Sequence, residues 1–198
     1  TSPFLGLFTL VQLTSLGVFG ELPTFEQLED PKNNLATEII SEDGRVLGKY
    51  FFENRSNVKH KELPENLIKA LISTEDIRFR EHSGVDGRAL LRAIVGALMG
   101  NSSSGGASTI TQQLAKMLFT QQPSSGAVRV MQKLKEWIIS AQLEKRYTKD
   151  EILTMYLNRF DWVNNAVGIK SATRVYFNKE PIDLNVEESA MLVGMLKN

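Results

Sequence analysis

Glu75 is the residue of this chain whose type and spacing point most directly to chemistry. It lies four residues after Leu71 and three after Ile72. In a helix starting at Pro64 it therefore falls on the apolar stripe of Leu67, Ile68, Leu71 and Ile72 rather than on the solvated face. Loss of water disfavours the charged form of a carboxylate, the tuning that a general acid or base needs near neutral pH. The plainer reading is a glutamate at a helix end, paired with Arg78 or Arg80.

A second candidate is Gly105-Gly106-Ala107-Ser108-Thr109-Ile110-Thr111-Gln112-Gln113-Leu114-Ala115-Lys116, a Gly-rich loop opening a helix. Ile110, Leu114 and Met117 share one helical face, and Thr109, Gln112, Gln113 and Lys116 another. Free amides at a helix N-terminus attract anions, and a lysine adds a full charge. The spacing is not that of a nucleotide phosphate loop, and an ordinary amphipathic helix after a flexible loop would read the same way. Lys133 and Glu136, three apart, form a solvated surface pair unless their face lines a cleft. Glu144-Lys145-Arg146 reads as a solvated helix end. Ser56-Asn57-Val58-Lys59 fits a Ser-x-x-Lys nucleophile pattern, but no Lys-Thr-Gly follows, and the match is chance.

Helices must position these residues. Asp86 caps one carrying Leu90, Leu91, Ile94 and Leu98, and Thr109 with Gln112 makes a capping box for the next. Val130, Leu134, Trp137, Ile138 and Ala141 recur at helical spacing. Thr148 with Glu151 opens the helix of Ile152, Leu153, Tyr156 and Leu157, and a last helix spans Val186 to Leu196. Ahead of them, 37–52 reads as a β-hairpin turning at Asp43-Gly44, and 21–37 as a polar connector. Residues 1–20 carry no charge and read as a membrane anchor, with a buried or partner-bound helix as the alternative. The loops 101–106 and 120–126 could cover a cleft.

The 198 residues suffice for a sizeable core, and a net charge of zero gives no support to nucleic-acid binding. With no cysteine and only His60 and His82, thiolate and multi-histidine metal sites are excluded, so any cation must take oxygen ligands.

Several segments, in order, resemble the motifs of peptidoglycan glycosyltransferases, glycosyltransferase family 51. Glu75-Asp76-Ile77-Arg78-Phe79-Arg80-Glu81-His82-Ser83-Gly84-Val85-Asp86 resembles the first motif, and the Gly105–Lys116 segment the second. Lys133-Leu134-Lys135-Glu136 resembles the third, Tyr147–Asn158 the fourth, and Glu187–Gly194 the start of the fifth. The resemblance implies a mainly α, lysozyme-like helical domain over 60–198 with a smaller membrane-facing lobe in 87–106, the domain's last helices lying beyond Asn198. In that lobe Leu90, Leu91, Val95, Leu98 and Met99 would meet membrane lipid.

The resemblance also implies polymerisation of lipid II into β-1,4 glycan with release of undecaprenyl pyrophosphate, on the outer face of the bacterial inner membrane. Glu75 would be the catalytic base. Glu136, the second catalytic carboxylate, would sit near the donor pyrophosphate, where a divalent cation such as Mg is an optional partner. Lys116 and Lys133 would stabilise the leaving pyrophosphate. Asp76, Phe79, His82, Ser108, Thr111, Gln112 and Gln113 would complete the substrate-binding set, Phe79 and His82 by shaping the first motif's loop. The partners implied are lipid II, the growing glycan, membrane lipid and other wall-synthesis proteins, with no nucleic acid. The sequence departs from the family pattern at Gln132, where arginine is usual and Arg129 could substitute, at Met117, at Asp161 and at Val163-Asn164-Asn165. A lysozyme-like glycan-cleaving enzyme and a non-catalytic membrane-anchored assembly module are the alternatives.

Overall fold

The computed structural model describes residues 37–41, 46–50, 57–99, 108–119, 126–164 and 166–197. The apolar segment 1–20, the connector up to 36, the hairpin turn and, save for Gly126, both expected cover loops lie outside the described residues. The described chain is mainly helical. Two short strands, β1 (Thr37–Ile40) and β2 (Val46–Tyr50), pair antiparallel with Thr37 opposite Tyr50 and Ile40 opposite Val46. The helices are α1 (Glu65–Glu75), α2 (Gly87–Leu98), α3 (Ile110–Phe119), α4 (Gly126–Arg146), α5 (Lys149–Arg159), α6 (Ile169–Phe177) and α7 (Val186–Gly194). Among the described residues no helix is long and apolar enough to cross a membrane.

The described residues divide into two compact units, one within 71–156 and one made of those in 37–70 and 157–197. In the first, Asp86 caps α2 by accepting from the amides of Arg88 and Ala89 at 3.0 and 3.1 Å. Thr109 caps α3 through the Gln112 amide at 3.1 Å. The other half of the expected box does not form, because the buried Gln112 Oε1 has no partner. Thr148 and Glu151 make the reciprocal box that starts α5.

Helix α4 turns a different face inward than its apolar residues suggest. Leu134, Ile139 and Leu143 are buried together with Glu136 and Ser140, whereas Val130 is exposed and Trp137, Ile138 and Ala141 are half-buried. Two polar residues occupy the inward stripe, so averaging over apolar positions alone rotates the inferred face. On α2, likewise, Leu91 is 63% exposed although it belongs to the expected stripe.

In the second unit, Asn158 clamps a distant segment by bonding both the amide and the carbonyl of Val58 at 2.9 Å. Trp162, fully buried, donates its indole N–H to the Leu192 carbonyl. The turn after Trp162 forms without glycine: Val163 and Asn164 take left-handed φ of 70° and 53°. Asn tolerates that region, but a β-branched valine there is strained. Helix α7 starts with a capping box of Asn185 and Glu188, and a 3₁₀ turn over Met195–Lys197 takes the place of its expected last residues.

Candidate active site

Glu75 is the last residue of α1. Leu71 is fully buried one turn earlier, so the helix delivers the Glu75 carboxylate to the interior of the Leu71–Tyr156 unit as the apolar stripe requires. Its Oε2 accepts from the Gln113 side-chain amide at 2.8 Å, while its buried Oε1 has no partner. The plainer pairings do not form. Arg78 instead binds Asp86 and Arg80 binds Asp150. Tyr156, fully buried on α5, donates its hydroxyl to Gln113 Oε1 at 3.0 Å. Burial, and next the Glu75 charge, push the Tyr156 hydroxyl well above its usual range, so it remains a proton donor.

The rest of the first motif holds the second in place. Asp76 accepts from His82 Nε2 at 3.0 Å and from the Ile110 amide, the first of α3, at 3.1 Å. A carboxylate on that amide complements the helix dipole. Thr109 Oγ1 donates to the Gly84 carbonyl at 2.6 Å, tying loop to loop. Gly84 has φ 92°, and a Cβ there would lie 2.8 Å from the Ser140 backbone. Only glycine allows that approach to α4. Phe79, fully buried, meets the His82 ring edge-on at 6.2 Å and carries Lys149 Nζ over its face at 4.4 Å. Asp76, Phe79 and His82 thus fix the loop and the start of α3.

A second cluster joins the Gly-rich segment to α4. Lys133 Nζ donates to Ser108 Oγ at 3.0 Å and to Glu136 Oε2 at 2.7 Å. The pair is not the solvated one expected on the surface: only 7% of the Glu136 side chain is exposed, against 41% for Lys133. The arrangement leaves an ammonium partly facing solvent with a buried counter-charge behind it. Lys116 is exposed on α3, one turn from Gln113. Arg129, the possible substitute for an arginine at Gln132, is exposed one turn before Lys133. Thr111 is buried and spends its hydroxyl on Glu144 at 2.6 Å.

Glu144, Lys149 and Tyr156 were not among the candidates read from sequence. Glu144 is no solvated helix end; its side chain is 5% exposed and bonds Lys149 at 2.8 Å, which also donates to the His82 carbonyl. The signal was present as the spacing Glu136, Ser140, Glu144 along one face of α4. Tyr156 was legible as a core tyrosine, whose hydroxyl needs a partner when buried. Among the described residues no three His, Asp or Glu side chains converge to hold a metal ion, and Glu136 offers one carboxylate already bonded to Lys133.

Comparison with known proteins shows the family. The model of the transglycosylase family matches residues 43–198. Penicillin-binding protein 1A of Escherichia coli K12 is 38% identical over 177 residues, covering 89% of this chain and 20% of that protein. The Vibrio cholerae protein of the same name is 37% identical over 180 residues, covering 91% of this chain and 21% of its own length. That of Neisseria lactamica is 35% identical over 188 residues, covering 95% and 23% respectively. The chain thus spans less than a quarter of the length of these relatives.

Proposed function

The chain belongs to the transglycosylase family, and from that premise we propose that it is a peptidoglycan glycosyltransferase that polymerises lipid II into β-1,4 glycan strands. The observation that carries the reading is Glu75 itself, with one oxygen held by Gln113 and the other buried and unpartnered. In the reaction the 4-hydroxyl of the acceptor sugar gives its proton to Glu75 as its oxygen attacks the donor's anomeric carbon. The bond from that carbon to the phosphate oxygen breaks, and undecaprenyl pyrophosphate leaves with inversion at the sugar. Lys133, set by Glu136 and Ser108, and Lys116 neutralise the charge that grows on the pyrophosphate. Gln112 and Ser108 are the groups left to position sugar or phosphate. A divalent cation such as Mg would have to share Glu136 with Lys133 and take its remaining ligands from the substrate's phosphates.

The substrate's polyprenyl tail requires a membrane surface. Leu91 and Val95 on α2 and Met99 just after it recur every four residues and are 63, 44 and 80% exposed, a ridge suited to lipid. With the apolar segment 1–20 as its anchor, the same reading puts the domain on the outer face of the inner membrane, alongside other wall-synthesis proteins.

The test is incubation of the full chain with labelled lipid II while polymer length is followed. Glu75→Gln should lower polymerisation by about 10²–10⁴-fold without unfolding the protein. Shortening of preformed glycan would instead favour a hydrolase, and no turnover by the unaltered chain a scaffold.

A further inference from the structure

The carboxamide of Gln113 can face Glu75 in two ways, and the structure has it in one of them. Its Nε2 donates to Glu75 Oε2 at 2.8 Å while its Oε1 accepts from the Tyr156 hydroxyl at 3.0 Å. Turned over, the amide would set its own oxygen against a carboxylate oxygen, tolerable only if Glu75 carried the proton. Three elements meet in this chain of bonds: Glu75 closes α1, Gln113 lies one turn into α3, and Tyr156 lies near the end of α5. Tyr156 is fully buried, and its hydroxyl is held in the protonated form by burial and by the Glu75 charge.

We propose that Tyr156 is a positioning residue for the polymerisation, holding Gln113 so that it donates to Glu75 Oε2 and leaves Oε1 as the atom that takes the acceptor's proton. The inference rests on Glu75 being the base. Tyr156 acts by fixing an amide, and that amide donates to the carboxylate.

The other charged groups near these elements are mostly spent on one another. Asp76 pairs with His82, Lys133 with Glu136 and Lys149 with Glu144. Lys116 is the exposed cation one turn along α3 from Gln113. None of these three pairs includes Glu75, which accepts from Gln113.

The experiment is the pH dependence of lipid II polymerisation by the full chain and its variants. Tyr156→Phe removes only the hydroxyl. The freed amide can then turn its oxygen to a protonated Glu75, moving the acidic limb of kcat/KM upward by about one pH unit. The rate on that limb should fall about tenfold while KM for lipid II stays within about twofold. Gln113→Leu should move the limb the same way. The double variant should be no worse than Gln113→Leu alone, because Tyr156 acts only through the amide. An unmoved limb in either single variant, additive losses in the double, or a loss equal at every pH that tracks a falling Tm would overturn the proposal. Should Tyr156→Phe fail to fold, Gln113→Leu still carries the limb test. Glu75→Gln with full polymerisation would overturn the assignment of the base itself. An inactive Glu75→Gln beside an unmoved Tyr156→Phe limb would overturn the relay alone.

Discussion

Between Leu71 and Tyr156 the protein buries Asp76, Asp86, Gln112 and Glu136 along with three hydroxyl residues. Among the described residues of the other unit, the buried polar side chains are those of Ser171, Thr173 and Ser189. Thr173 and Ser189 donate to the carbonyls of Lys170 and Asn185, within a turn of themselves. In the first unit Ser140, Glu136 and Asp86 also bond near neighbours, but other partners are remote in sequence: Asp76 with the Ile110 amide, Thr109 with the Gly84 carbonyl, Gln113 with Glu75. The four described buried polar atoms without partners, on Glu75, His82, Gln112 and Gln142, also all fall there. Burying carboxylates and leaving acceptors unpaired costs stability, and a fold tolerates it where function uses it. One unit buries few polar side chains; the other holds carboxylates out of water.

Two glycines offer the largest test of that contrast. Gly84 and Gly168 both have positive φ, and a Cβ at either would lie 2.8 Å from a backbone atom. Alanine at each should cost about 3 kcal/mol in denaturant unfolding, from left-handed strain plus overpacking. The difference should appear in turnover of the folded fraction. Gly84→Ala should reduce it, because Gly84 accepts from Thr109 at the mouth of α3. Gly168→Ala should leave it intact, and loss of turnover there with the fold preserved would erase the distinction between the units.

Lys149→Met strands Glu144, whose side chain is 5% exposed. The cost should be about 2 kcal/mol, below that of a fully buried pair because Thr111 still donates to Glu144 and Lys149 is partly solvated. Polymerisation should fall with it, since Lys149 also holds the His82 carbonyl. Stability lost with turnover unchanged would make this network structural only.

Asp86 gives the pH dependence. Burial alone would raise its carboxyl, but the Ala89 amide, the Arg78 guanidinium and the Arg88 amide together outweigh burial and hold it below the usual carboxylate range. A group depressed in the folded state contributes stability that is present above the unfolded value of about 3.9 and lost as pH falls through the lower folded value. Asp86→Asn keeps a good cap and should cost about 1 kcal/mol near neutrality, with a shallower acid-side loss in unfolding titrations. An acid limb as steep as before would remove Asp86 from that account.

The smallest effect belongs to the second unit. Val163→Gly relieves a valine held at φ 70° and should stabilise by a few tenths to about 1 kcal/mol, with polymerisation unchanged. A Tm that falls would show that the valine side chain contributes more by packing than its backbone loses.

What could be read from the sequence follows from the range of the forces involved. The caps at Asp86 and Thr148 were legible because a cap joins residues two or three positions apart. The last helix was legible to within its final turn for the same reason. Glu75 was legible because α1 carries an uninterrupted apolar stripe, so a carboxylate on it stands out. The inward face of α4 was not, because Glu136, Ser140 and Glu144 look solvated to any count of apolar residues. Glu136 finds its partner on α4 itself, in Lys133, whereas Glu144 is met by Thr111, brought up by folding.

By itself, then, the sequence determined the helical order, the local caps and the family whose motifs it carries. Only the tertiary structure decided which oxygen of Glu75 is held and which is left open, since Gln113 and Tyr156 stand 38 and 43 positions from their bonding partners. Local hydrogen bonds and periodicity are written along the chain; the partner of a buried charge is whatever the fold brings within 3 Å of it.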